Sequence, residues 1–353
     1  MKKSALAVFA LAAICSAQDL PPQTIANSPA PDYSAFTHSY TLPFTRPVAS
    51  GSLDGLIHVH ASINGGPVGS FDVDTGSVGI VIGADDVPNI DPNGEKGQIT
   101  YSSSGIELDG IWTLATVHFP DAIGDDGKPA PLDVKVKVLA VTKRLCHDMG
   151  PNSGKCTPSD HATSHMMGIG FDRGHDSPHP ENNVFLSLSE MRASTPGESR
   201  MRSGYIIQPD GIHLGLTAQN VGTGFHFQKL LPRDGVKADG PKDWLTAPGG
   251  FSVGAGRPEV GTILMDTGLT NMMIGAPGHK PGEVAAATPI KIYLPGGLSY
   301  SFQAGDSGSM TPRKVNWVEP KSGVFINTGL HALAHIDYLY DADGGYLGLR
   351  PRK

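Results

Sequence analysis

The sequence is short of the features that commit a chain to several common functions. Only 3 of its 353 residues are cysteine, which excludes a small disulfide-dense scaffold. Charged residues make up only 17% and aromatics 7%. Lys and Arg number 27 against 34 for Asp and Glu, so the net charge of -7 offers no basic footprint for nucleic acid and no argument for binding an anionic membrane surface. The apolar stretch Ala5 to Ile14 is about ten residues long, too short to span a bilayer. No Asn-x-Ser/Thr triplet occurs, so no N-glycans are expected.

Turn formers are abundant, with 45 glycines and 29 prolines. Together with few long helix-periodic windows, they point to mostly β structure with many turns. The length suits one large domain or two ordinary ones. The basic Met1-Lys2-Lys3, the apolar run and Cys15-Ser16-Ala17 have the layout of a secretory signal over residues 1–17. Bulky Ile14 before Cys15 disfavours a lipid anchor there. Export leaves Cys146 and Cys156, expected to form one disulfide in an oxidising compartment, worth about 2–3 kcal/mol. Residues 18–37 are polar and Pro-rich and predict a loose N-terminal tail.

One tripeptide occurs twice in matching surroundings. Asp74-Thr75-Gly76 follows Phe71-Asp72-Val73 and leads into Val78-Gly79-Ile80-Val81-Ile82-Gly83. Asp266-Thr267-Gly268 follows Ile263-Leu264-Met265 and leads into Met272-Met273-Ile274-Gly275. Each reads as buried strand, tight polar turn, buried strand. An aspartate between apolar strands is costly to bury unless paired or hydrogen-bonded. A single Asp-Thr-Gly would be an ordinary turn, but two in similar frames predict carboxylates that meet across a pseudo-twofold axis.

Between these turns the chain reads as a succession of hairpins. Leu56 to Ile63 alternates and reaches Asn64-Gly65, a pair suited to the positive φ angles of a tight turn. Gly97 to Trp112 is a second hairpin with a Ser/Gly tip. Val134 to Val138 alternates with lysine, predicting one wet face, and then becomes continuously apolar. Asn183 to Arg192 is the one segment that predicts a helix.

Four further constellations compete for function. Cys146, His147, Cys156, His161, His165, His175 and His179 cluster in sequence, and His161 with His165 has the spacing of a helical metal site. Pro158, Ser159 and Gly168 disfavour a helix there, and export favours the disulfide, so no metal site is expected. His331 and His335 have the same spacing and the same reading. Gly305 to Ser309, with Ser307 and Ser309, reads as a flexible turn. Asn327-Thr328-Gly329 imitates the repeated tripeptide with an amide that cannot play a carboxylate's proton role, and reads as structural.

With these residues in hand, the chain resembles the bilobal pepsin-like aspartic proteases over about residues 38–351. The two Asp-Thr-Gly turns are similar to that family's catalytic loops. Tyr101 on its Ser/Gly hairpin resembles the flap tyrosine, Met166-Met167-Gly168 the segment supporting the first loop, and Leu339 to Leu349 the C-terminal hairpin. The resemblance implies an all-β, double-β fold with a few short helices, an N-terminal lobe at 38–205, a C-terminal lobe at 206–353 and a cleft between them. It further implies Asp74 and Asp266 as catalytic pair, Thr75, Gly76, Thr267 and Gly268 bracing the turns, and Ser77 bonding Asp74. The implied activity is secreted, monomeric endopeptidase action on polypeptides at acidic pH, with neither metal nor cofactor. A non-catalytic binding or inhibitor protein on the same fold is the alternative.

Three positions depart from the pattern. Val81 stands where many members have a tryptophan. Leu269 replaces the usual Ser or Thr, which predicts that Asp266 lacks the hydrogen bond Ser77 offers Asp74 unless Thr270 supplies it from a rearranged turn. In the second lobe Phe325-Ile326 is followed by Asn327-Thr328-Gly329, where glycine is expected at once.

Overall fold

The computed structural model describes residues 25–46, 55–148, 156–161, 163–173, 180–191, 201–234, 242–320 and 322–352. The expected signal segment, His175, His179 and most of the polar stretch after Met191 lie outside them.

The described residues form three sheets, and two of them are organised around the repeated turns. In the first lobe, seven strands run in the spatial order His58–Ile63, Gly69–Asp74, His165–Ile169, Val78–Gly83, Leu132–Cys146, Ile106–Phe119, Glu95–Tyr101. The first strand also pairs with Ile106–Phe119, which curls the sheet onto itself. In the second lobe, eight strands run Gly282–Glu283, Val315–Trp317, Met272–Gly275, Phe325–Asn327, Glu259–Leu264, Pro248–Val253, Pro289–Tyr293, Ser299–Gln303. A third, seven-stranded sheet draws on both halves of the chain and has Arg202–Gln208 at its middle, between Ile336–Asp341 and Gly211–Leu216. The expected lobe boundary after residue 205 therefore falls inside a strand of this shared sheet.

The strands follow from the side-chain pattern. Val134, Val136 and Val138 are buried while Lys135 and Lys137 are exposed, and the strand then runs buried through Leu139, Ala140 and Val141. At the first hairpin Asn64 and Gly65 both adopt positive φ, 52° and 75°, as a primed turn requires. The main apolar core is continuous from Phe71, Ile80 and Phe119 through Phe185 and Tyr205 to Tyr340. Each such fully buried side chain contributes about 1.5–3 kcal/mol. Cys146 and Cys156 are disulfide-bonded.

Two expectations change. Asn183 to Arg192 forms no α-helix: short 3₁₀ turns occupy Val184–Leu186 and Ser189–Met191. Polar side chains capture the backbone there. Asn183 Oδ1 accepts from Phe185 N, and Ser187 Oγ donates to Asn183 O at 2.8 Å. The α-helix found is Ala218–Val221, one turn long and closed by a capping box between Thr217 and Asn220. The segment 25–37, expected to be loose, is anchored at three points along an otherwise mostly exposed course. Ile25 is fully buried, Ser28 bridges to Phe227, and the Tyr33 hydroxyl donates to Asp341.

Candidate active site

Each Asp-Thr-Gly turn sits at the end of a strand that the sheet holds from both sides. Val73 and Asp74 lie in parallel register with Met167 and Gly168, the segment expected to support the first turn. In the second lobe Ile263 and Leu264 lie beside Ile326 and Asn327. These neighbours fix where the chain must leave the sheet, and hence where both carboxylates end.

The turns grip each other. Thr75 N donates to Thr267 Oγ1 and Thr267 N donates to Thr75 Oγ1, both at 3.0 Å. Thr75 Oγ1 in turn donates to Met265 O at 2.5 Å, and Thr267 Oγ1 to Val73 O at 2.6 Å. Every bond has its counterpart across a pseudo-twofold axis. The same exchange brings each carboxylate against the opposite glycine: a Cβ on Gly76 would lie 2.5 Å from Asp266 Oδ2, and one on Gly268 2.6 Å from Asp74 Oδ1. Only glycine fits at either place.

Both aspartates are buried and each accepts two hydrogen bonds. Asp74 takes Gly76 N at 2.6 Å on Oδ1 and Ser77 Oγ at 2.5 Å on Oδ2. Asp266 takes Gly268 N at 2.9 Å on Oδ1 and Asn327 Nδ2 at 2.7 Å on Oδ2. The expectation that Leu269 would leave Asp266 without this bond is therefore overturned, and its donor is a residue that sequence reasoning set aside. The signal lay in a polar residue at the buried end of the strand Phe325–Asn327, among apolar neighbours. Thr270 supplies no bond to Asp266.

Burial, first, and then the charge of Asp74 push Asp266 up to about 8, against the pull of the Asn327 and Gly268 donors. Asp72 is also raised, by burial before all else, with Asp74's charge adding and His58 and His165 opposing. One carboxylate of the pair thus retains a proton into the neutral range.

The pair opens into a cleft of about 1370 Å³ lined from both lobes. Tyr101 lines it from the hairpin whose tip is Ser102 to Ser104, and its ring packs on a separate apolar cluster of Val81, Ile99, Leu108, Leu139 and Val141. Val81 thus supports the hairpin through apolar contact where a tryptophan was noted as missing. Arg144, Arg173 and Arg233 also reach the cleft.

The rival constellations do not converge here. His165 begins a strand and pairs with Asp86, so the helical spacing with His161 is not realised. Ser309 does find a histidine, with its Oγ 2.6 Å from His335 Nε2. The pair lies outside the residues lining the cleft, and among the described residues no carboxylate accompanies it.

No protein-family model and no curated protein matches the sequence. Among solved structures that do match in three dimensions is the crystal structure of an aspartic proteinase from Irpex lacteus. It superposes with a TM-score of 0.52, covering 90% of this chain and 98% of that one at 14% sequence identity. At that identity the likeness is one of fold, and with the three sheets above it makes this chain an all-β protein with the bilobal pepsin-like architecture.

Proposed function

We propose that the protein is an exported aspartic-type endopeptidase, acting as a monomer, in which Asp74 and Asp266 activate one water for attack on a peptide bond. The observation that carries this reading is the reciprocal Thr75–Thr267 exchange, which seats two buried carboxylates against each other's turns at the base of an open cleft. Nearby carboxylates do not both ionise readily, so they share a proton and titrate together. The ionised member takes the water's proton as its oxygen attacks the carbonyl carbon. The protonated member donates to the carbonyl oxygen, and proton return to the nitrogen releases the amine. A polypeptide would lie along the cleft under the Tyr101 hairpin. The non-catalytic reading drew part of its strength from Leu269, and the Asn327 donor removes that part.

Activity requires the singly protonated pair. It is expected in acid and falls as pH rises through the raised range of Asp266. A digest of a denatured protein across roughly pH 3 to 8, with and without pepstatin, tests this. Asp74→Asn and Asp266→Asn should each lose at least about 10³-fold in kcat/KM. Cleavage that survives both substitutions, or none by the wild type at any pH, overturns the proposal.

A further inference from the structure

We infer that Asn327 is the positioning residue of Asp266, performing from the neighbouring strand the task that Ser77 performs from the turn for Asp74. The strand registers show how the task moved. Met166 pairs with Asp72 on one side and Val81 on the other. Asn327 pairs with Leu264 and Met273, which stand in the second repeat where Asp72 and Val81 stand in the first. Asn327 and Met166 are therefore equivalent, just as Leu269 and Ser77 are. The first lobe has a polar turn residue and an apolar strand residue, Ser77 with Met166. The second has the reverse, Leu269 with Asn327. Polar and apolar side chains have exchanged places, and in both lobes the carboxylate's Oδ2 keeps one donor at 2.5–2.7 Å.

The amide is held for this purpose. Gly329 N donates to Asn327 Oδ1 at 2.9 Å, which turns Nδ2 toward Asp266. Asn327 is 3% exposed and Asp266 9%, so water is a poor substitute for the lost bond. The two supports are not chemically identical. A hydroxyl such as that of Ser77 can donate or accept, whereas an amide nitrogen only donates. Asn327 therefore favours the ionised form of Asp266 in a way that Ser77 need not favour that of Asp74. The pair's pH range is thus set partly by a strand residue.

The kinetic consequence rests on the protease reading; the titration does not. Asn327→Met, Leu269→Ser and the double variant recreate the first lobe's arrangement in steps. They are read by kcat/KM against pH and by carboxyl ¹³C NMR titration of Asp266, its signal assigned by its absence in Asp266→Asn. Removing a donor from a carboxylate raises its pKa. Asn327→Met should therefore move both the Asp266 titration and the alkaline limb of activity up by about one pH unit, with kcat/KM falling about 10- to 100-fold. Leu269→Ser alone should stay within about threefold, and added to Asn327→Met it should return activity and titration to within about threefold and half a unit of wild type. Asn327→Ala provides the same reading if the methionine variant does not fold. An unmoved Asp266 titration, or a loss in a folded variant that serine at 269 fails to repair, overturns the inference. A wild type without protease activity would sink the function proposal alone, because the titration still decides this one.

Discussion

The two lobes hold their aspartates on the same backbone and surround them with different side chains. Strand, turn, strand and the reciprocal threonine bonds repeat almost bond for bond. The second donor to each carboxylate does not, being a turn hydroxyl in one lobe and a strand amide in the other. Charge partners elsewhere differ with the burial of the carboxylate. Exposed carboxylates of the first lobe include several paired with histidines, as in His60–Asp121 and His118–Asp133. In the shared sheet the buried Asp341 and Asp337 pair with arginines, Arg202 and Arg350. A buried carboxylate demands a donor at a place, not a given residue at a sequence position.

The backbone half of this comparison breaks most readily at the threonines. Thr75→Val leaves Thr267 N and Met265 O without partners, and Thr267→Val does the same to Thr75 N and Val73 O. Valine keeps the shape, so each loss is one of buried hydrogen bonds, and each should cost about 2–4 kcal/mol in chemical denaturation. Equal costs would show that the grip is symmetric in energy as well as in geometry. A cost under about 0.5 kcal/mol for either would show that solvent or relaxation replaces the bonds.

The carboxylate half responds to pH. Folding raises the pKa of Asp266, by burial and by Asp74's charge. The folded protein therefore binds more protons than the unfolded chain between the ordinary aspartate range and about 8, and stability falls as pH rises through that window. Asp266→Asn removes the ionisation and should stabilise the protein by on the order of 2 kcal/mol near neutrality, and by little at about pH 3.5. Thermal melting at the two pH values checks this; equal gains at both would assign the effect to packing.

Much of this could be read from the sequence, and the remainder has a common cause. The hairpins, the Val/Lys strand and the paired turns were legible because they depend on local alternation and on turn chemistry at adjacent residues. Their placement in three sheets depends on pairings between distant strands, such as Gly204 with Asp341, that no local pattern encodes. Asn327 was misread for the same reason. Its role comes from a parallel strand neighbour, and its disguise as a third Asp-Thr-Gly-like turn drew attention to its chemistry and away from its address. The segment 183–192 misled because Phe185, Leu186, Leu188 and Met191 have helical spacing, while Asn183 and Ser187 carry the hydrogen bonds that stop the helix.

The surface pairs provide the finest test. A histidine–carboxylate contact is an ion pair only when the imidazole is protonated, which for this residue type happens on the acid side of neutrality. His60–Asp121 at 2.7 Å and His118–Asp133 at 2.8 Å are two such contacts, both on the surface of the first lobe. All four side chains are 39–67% exposed, so solvent screening holds each contribution to about 0.2–0.5 kcal/mol. His60→Gln and His118→Gln should therefore each cost no more than that in chemical denaturation. Arg350 donates at 2.8 Å to Asp337, which is buried, so Arg350→Gln should cost more, on the order of 1–3 kcal/mol. Equal costs for the histidine and arginine variants would show that burying the carboxylate does not decide what its partner contributes.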